Sequence, residues 1–181
     1  MKTLLIANRG EIAIRLAATA RDQGYGVITI YPEDDAQCAH VAAGDTSIQI
    51  PGVGAAAYLD IEAVLQAAKT GGATAVHPGY GFLSEQSPFA SACEAAGLCF
   101  VGPTPDQLST FGNKAGAKAV ASSCGVPLVP GTEGATTLAE ALDFQSKHPE
   151  THLMIKAVHG GGGRGMRIVA AGEDLTKTFE R

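Results

Sequence analysis

Short apolar runs alternate with longer segments whose apolar residues recur at helical spacing, a rhythm that predicts strands and helices in turn. Residues 3–7 are the first apolar run. A helix is expected over 10–23, with Ile12, Leu16 and Ala20 on one face and Gly24 as its stop, and 27–31 is the next strand. A short strand at 47–50 and a proline-glycine loop follow. Asp60 is placed to cap a helix reaching Lys69; 73–76 reads as a strand, 88–96 as a helix closed by Gly97, and 98–101 as another strand. Strands separated by helices in this way signal an α/β fold with a mostly parallel sheet and helices on its faces.

The rhythm changes near 102–105. Thr104, followed by Pro105 at the first helical position and Gln107 three residues after the cap, starts a pair of short helices and marks a domain boundary. A helix over 114–123 ends at Gly125, and a strand at 126–129 opens a second unit. Thr137 and Glu140 form a capping box for a helix to about Lys147; then come an apolar strand around Lys156, a glycine tract and a strand at 166–169. The expected division is 1–103, a helical linker at 104–125, and 126–181. The last part reads as unfinished, because the chain ends within the helix that Glu173 and Asp174 start.

The 181 residues carry a formal net charge of −5 with dispersed basic positions, which argues against nucleic-acid binding. Cys38, Cys93, Cys99 and Cys124 form no C-x-x-C pair and no zinc-type spacing with histidine, so they read as reduced thiols. The first apolar run is too short for a signal segment or a membrane span, and a cytoplasmic location is expected.

Candidate chemistry concentrates in residues 153–169. Lys156 stands within an apolar strand, where a charge is costly to enclose unless an anion or an acceptor pairs with it. The glycines after it, Gly160, Gly161, Gly162, Gly163 and Gly165, leave backbone N–H groups free to approach phosphate oxygens. The spacing satisfies G-x-G-x-x-G, but the glycines lead into a strand and not a helix, and no glycine-lysine-hydroxyl triplet of a Walker loop occurs. Strand, glycine loop, strand describes a hairpin lid over a polyphosphate, against the plainer alternative of a glycine-rich surface loop. Arg164 is placed either to approach phosphate or to project into solvent. His77-Pro-Gly-Tyr-Gly-Phe-Leu-Ser-Glu85 follows a strand at the carboxyl edge, where open α/β sheets place ligands; His77 reads as a hydrogen-bonded structural residue. Arg9 and Glu11 also read as structural, and Gly10 alone does not make a pyrophosphate-binding turn.

Ile6-Ala-Asn-Arg-Gly-Glu-Ile-Ala13, the loop from His77 to Glu85, and Lys156 with its glycine lid occur in an order and at separations that resemble biotin carboxylase. This is the ATP-grasp component of biotin-dependent acyl-CoA, pyruvate and urea carboxylases. The similarity extends through Phe100-Val-Gly-Pro103, Gly112-Asn-Lys114 and Gly125-Val-Pro127. The resemblance implies a Rossmann-like, pre-ATP-grasp domain that binds no dinucleotide, a helical linker, and the start of an ATP-grasp domain. It implies ATP-phosphate contacts from Lys114, Lys156 and the glycine lid, and places Tyr80 and Gly81 near biotin. Many relatives have aspartate where this chain has Asn113. Ligands for magnesium, a bicarbonate-binding arginine and a catalytic glutamate are expected beyond residue 181, so no catalytic residue is assigned within the chain and the isolated chain is expected to be inactive. Expected partners are bicarbonate, a biotin carboxyl carrier protein or domain, a carboxyltransferase and, through the first helix with Arg15, a second copy, although Ala18 one turn on is small. The rivals are another ATP-grasp ligase of the carbamoyl-phosphate synthetase type and a non-catalytic Rossmann-like module.

Overall fold

The computed structural model describes residues 2–132, 134–157 and 165–180. The chain divides into two compact units, Met1–Gly112 and Asn113–Arg181. In the first, β1 (Thr3–Ile6), α1 (Gly10–Asp22), β2 (Gly26–Tyr31), β3 (Thr46–Gln49), α2 (Gly54–Ala57), α3 (Ile61–Thr70), β4 (Ala75–His77), α4 (Ser87–Ala95), β5 (Cys99–Phe100) and α5 (Pro105–Gly112) follow in order. The strands form one sheet in the order β3-β2-β1-β4-β5, and every pair is parallel.

Alternation along β1 sends side chains to opposite faces. Leu5 joins Ile28, Ile30, Val64, Val76 and Phe89 on one side, while Leu4 and Ile6 meet Ile12, Leu16 and Ala20 of α1 on the other. A parallel sheet covered on both faces needs near-continuous apolar strands, and β1 and β2 have them. The helix signals act where expected: Asp60 accepts from Ala63 N–H at 3.0 Å, and Gly24 and Gly97 end α1 and α4 at positive φ. Thr104 and Gln107 exchange capping bonds of 2.9 and 3.3 Å, and α5 packs on α4 within the first unit.

A buried polar network closes the carboxyl end of β2. Asp35 accepts from Tyr58 Oη at 2.8 Å, from Arg9 Nη1 at 3.1 Å and from Cys38 Sγ at 3.4 Å. Burial opposes its ionisation, but the donors Tyr58, Arg9 and Cys38 outweigh burial and hold the carboxyl below its ordinary range. His40, 1% exposed, sits 3.2 Å from both Tyr58 Oη and the Ile30 carbonyl, and burial pushes its pKa down. The four cysteines are free; Cys93 is buried and the others are exposed.

The second unit contains α6 (Lys114–Ser123), α7 (Leu138–Lys147), β6 (Leu153–Lys156), β7 (Met166–Val169) and α8 (Thr176–Phe179). The capping box at Thr137 and Glu140 is complete. β6 and β7 form an antiparallel hairpin whose inner residues Leu153, Ile155 and Val169 pack with Ala141 and Leu175. The strand expected at 126–129 does not form: this segment pairs with no strand among the described residues, and Val129 is 84% exposed. Pro127 has no N–H to give a ladder, and Pro130 follows directly, so the apolar run stays unpaired. Among the described residues no helix is long and apolar enough to cross a membrane.

Two outcomes test this core. Phe89 is fully buried, edge-on to Phe100 at 5.8 Å, so Phe89→Ala is expected to cost about 3–5 kcal/mol in urea unfolding. The depressed Asp35 pKa means that its contribution is present above the ordinary carboxylate value of about 3.9 and is lost as pH falls through the folded value. The depressed His40 pKa adds a loss that begins below about pH 6.5, because the unfolded chain takes up that proton first. Urea midpoints should therefore fall on acidification below that value, and Asp35→Asn should lower stability at neutral pH while removing the most acidic step. An acid profile in Asp35→Asn equal to the parent's would exclude the carboxylate as the group that holds this network.

Candidate functional site

The loop after β4 is held by a residue of the first strand-helix turn. Asn8, 2% exposed, donates from Nδ2 to the carbonyl of Pro78 at 2.7 Å and to that of Tyr80 at 2.9 Å, while its Oδ1 accepts from Arg9 N–H at 2.9 Å. All the hydrogen-bonding roles of a buried amide are thus engaged. Gly79 is required twice over: its φ is +67°, and a Cβ there would lie 2.7 Å from Asn8 Nδ2. Gly81 follows at φ +69° and Phe82 at φ 43°, a left-handed backbone for a bulky residue. Phe82 is held there by packing on the core, 5.3 Å from the Tyr58 ring.

His77 accepts from Gly79 N–H through Nδ1 at 3.0 Å, which fits its expected structural role and leaves the proton on Nε2. Burial, with Arg15 adding to it, pushes the His77 pKa down. The Tyr80 side chain is 62% exposed, and its phenol donates to the Glu11 carboxylate. That hydrogen bond and the charge of Glu11 push the phenol's pKa up, against a smaller opposing effect of Arg15. Asn8 and Glu11 carry no site assignment in the sequence reading. The one local signal was an asparagine placed directly between a buried strand and a lone glycine.

In the second unit, Lys114 and Gly165 come together at the open end of the hairpin. Asn113 Oδ1 accepts from Gly116 N–H at 3.2 Å at the start of α6, a capping role that asparagine and aspartate share. Lys114, the first residue of that helix, reaches with Nζ to within 3.4 Å of the Ala157 carbonyl. Ala157 N–H donates to Gly165 O at 2.9 Å, and a Cβ on Gly165 would come within 2.8 Å of the Ala157 Cβ. Gly165, at φ +75°, therefore closes the hairpin neck where other residues would clash.

Lys156 is the last residue of β6 and adjoins Ala157, but it is exposed and not enclosed among apolar side chains as its sequence context suggests. The reason is the period of the strand. Leu153 and Ile155 turn inward, whereas Met154 and Lys156 lie on the open face of a two-stranded sheet that is packed on one side only. Lys156 is therefore solvated and not enclosed, and it adjoins the neck through Ala157. Gly160, Gly161, Gly162, Gly163 and Arg164 lie outside the described residues.

The carboxylates that follow β2 are engaged within the fold. Asp34 accepts from Gly54 N–H at 2.9 Å, and Asp35 serves Arg9, Tyr58 and Cys38. In dinucleotide-binding folds a carboxylate near this point meets the ribose. Here both carboxylates hold loops together.

Comparison with known proteins gives these sites a context. Residues 1–108 match the family model described as biotin carboxylase, N-terminal domain, and residues 113–181 match the ATP-binding domain of the carbamoyl-phosphate synthase L chain. The chain is 43% identical to the methylcrotonoyl-CoA carboxylase subunit alpha, mitochondrial, of Oryza sativa subsp. japonica, over 97% of its own length and 24% of that protein's. It is also 43% identical to the mitochondrial pyruvate carboxylase of Homo sapiens, over all of its own length and 16% of that protein's. The chain thus spans about a quarter or less of these relatives. Among solved structures, the biotin carboxylase domain of a single-chain bacterial carboxylase is 44% identical with a TM-score of 0.89, covering 99% of this chain and 39% of that one. A biotin carboxylase from Campylobacter jejuni, solved as a complex with β-γ-ATP, is 40% identical with a TM-score of 0.90, covering 98% of this chain and 40% of that one. The parallel sheet with its clamped carboxyl-edge loop, the lysine-bearing hairpin and a family match over residues 1–108 agree, and the chain belongs to the biotin carboxylase family.

Proposed function

We propose that this chain supplies the N-terminal part of an ATP-dependent biotin carboxylase within a biotin-dependent carboxylase. The observation that carries the proposal is the convergence of Lys114, Ala157 and Gly165 at the hairpin neck, with Lys156 next to Ala157 in the strand. A lysine ammonium at a glycine-bearing neck, with a second lysine on the adjoining strand residue, suits the phosphates of ATP, because phosphoryl transfer depends on positioning and on neutralising charge. In this reaction a bicarbonate oxygen attacks the γ-phosphorus, ADP leaves, and carboxyphosphate decomposes to carbon dioxide and phosphate before biotin N1 is carboxylated.

Lys114 and Lys156 bind and orient the phosphates, and Gly165 keeps the neck beside them narrow; the other glycines assigned to the phosphates, at 160–163, lie outside the described residues. Tyr80 and Gly81 receive the biotin end of the acceptor. Among the described residues no group of three or more His, Cys, Asp or Glu side chains is arranged to hold a metal ion, so no step is assigned to magnesium here.

The proposed partners are bicarbonate, a biotin carrier protein or domain, a carboxyltransferase and a second copy of the enzyme. The biotin carboxylase domain of the Hydrogenobacter thermophilus 2-oxoglutarate carboxylase, 38% identical, is a dimer in complex with MgADP, ADP and bicarbonate, which supports the last of these and the nucleotide. Four free thiols suit a reducing compartment, and the proposed one is the cytoplasm. A carbamoyl-phosphate synthetase-type ligase is the second reading, favoured by the match over 113–181 and opposed by the biotin carboxylase match over 1–108.

Lys156→Ala in the full-length enzyme is expected to lower bicarbonate-dependent ATP hydrolysis and biotin carboxylation together, by roughly 100- to 1,000-fold. Near-normal rates in both assays would remove Lys156 from the site. Carbamoyl phosphate formation without biotin carboxylation would establish the second reading instead.

A further inference from the structure

The β1–α1 turn, where a dinucleotide fold presents glycines to a pyrophosphate, here presents two polar side chains to the loop after β4. Asn8 bridges the Pro78 and Tyr80 carbonyls from a buried position, and Glu11, one helical residue beyond Gly10, accepts from the Tyr80 phenol. Three of the four residues 79–82 have a left-handed backbone, and Phe82 is among them. A backbone of this kind persists only where its surroundings over-determine it. The Asn8 amide supplies that constraint at the loop's centre, and Gly79 leaves the room for it.

The constraint on the side chain is separate. Tyr80 is exposed and free to rotate about two torsions, and the Glu11 carboxylate selects one direction for its phenol. Arg15 is the other charged group acting on Tyr80, and its effect opposes that of Glu11.

Resting on the reading that the Tyr80 loop receives biotin, we infer that the β1–α1 turn sets the acceptor geometry, with Asn8 fixing the loop's backbone and Glu11 the Tyr80 phenol. Both are positioning residues, since they act through the loop. The turn occupies the place at the carboxyl edge where a dinucleotide fold binds its ligand, and here it orients the loop beside it.

The test has two arms. In this chain, ultraviolet difference titration against Tyr80→Phe isolates the Tyr80 phenol, and Glu11→Ala is expected to lower its titration midpoint; an unmoved midpoint overturns the contact whatever the enzyme does. In the full-length carboxylase with free biotin, Glu11→Ala is expected to raise the biotin KM about tenfold while the ATP KM stays within about twofold, and Glu11→Gln, which keeps an acceptor, to recover most of the loss. Asn8→Asp keeps the acceptor for Arg9 and loses both donors, and is expected to raise the biotin KM further and to lower kcat. Glu11 is exposed, so its variants report even where Asn8→Asp fails to fold. An unchanged biotin KM in Glu11→Ala, or an equal rise for biotin and ATP, overturns the positioning role. A parent enzyme that carboxylates no biotin overturns the underlying functional reading, and the midpoint shift tells that failure apart from loss of the contact.

Discussion

The structure of the first unit depends on the burial of one short strand, three of whose four residues are buried. Strand β1 lies third in a five-stranded parallel sheet and pairs with β2 on one side and β4 on the other. Leu5 and Ile6 point to opposite faces and both are completely buried, so the two halves of the core share one backbone. Burying a side chain of this size fully stabilises by roughly 1.5–3 kcal/mol. A charge at either position would uncover one core cluster and loosen its pairing partners too. Everything proposed for the acceptor loop begins at the end of this strand, where Asn8 leaves the sheet.

Charge is held in two ways, shielded or exposed, and the first unit has both, since its Arg21–Asp45 pair lies open to solvent. In the first, Arg9, Asp35, Tyr58 and His40 share contacts that are mostly shielded from water, so removing one member strands another. In the second, the ion pair of Lys147 with Asp143 is solvent-exposed on one helix and adds little to stability. The lysines at the hairpin neck are likewise exposed.

Local chemistry made the first unit legible in the sequence. Its strands are short apolar runs bounded by caps and glycines, and each signal, such as Asp60, Gly97 or the Thr104–Gln107 pair, acts within one turn of the chain. The reading weakened where a decision lay with distant partners. Residues 126–129 have the composition of a strand but, among the described residues, no neighbour to pair with, and the sequence around Lys156 gives no sign that Leu153 and Ile155 are packed while Met154 and Lys156 are exposed. Asn8 escaped notice because its role lies in contacts with residues about seventy positions away. The Asp35–Tyr58–His40 network was missed for the same reason, since its members come from a loop, a 3-10 turn and the end of a short helix.

That separation has a consequence for how the chain comes into being. Asn8 leaves the ribosome long before the carbonyls of Pro78 and Tyr80 exist, and its amide can find them only after β4 has paired with β1. Until then Gly79, Gly81 and Phe82 have no reason to hold a left-handed backbone. The loop therefore takes its final shape only when the central pairing is complete, and a partly made chain displays no half-formed version of it to its surroundings.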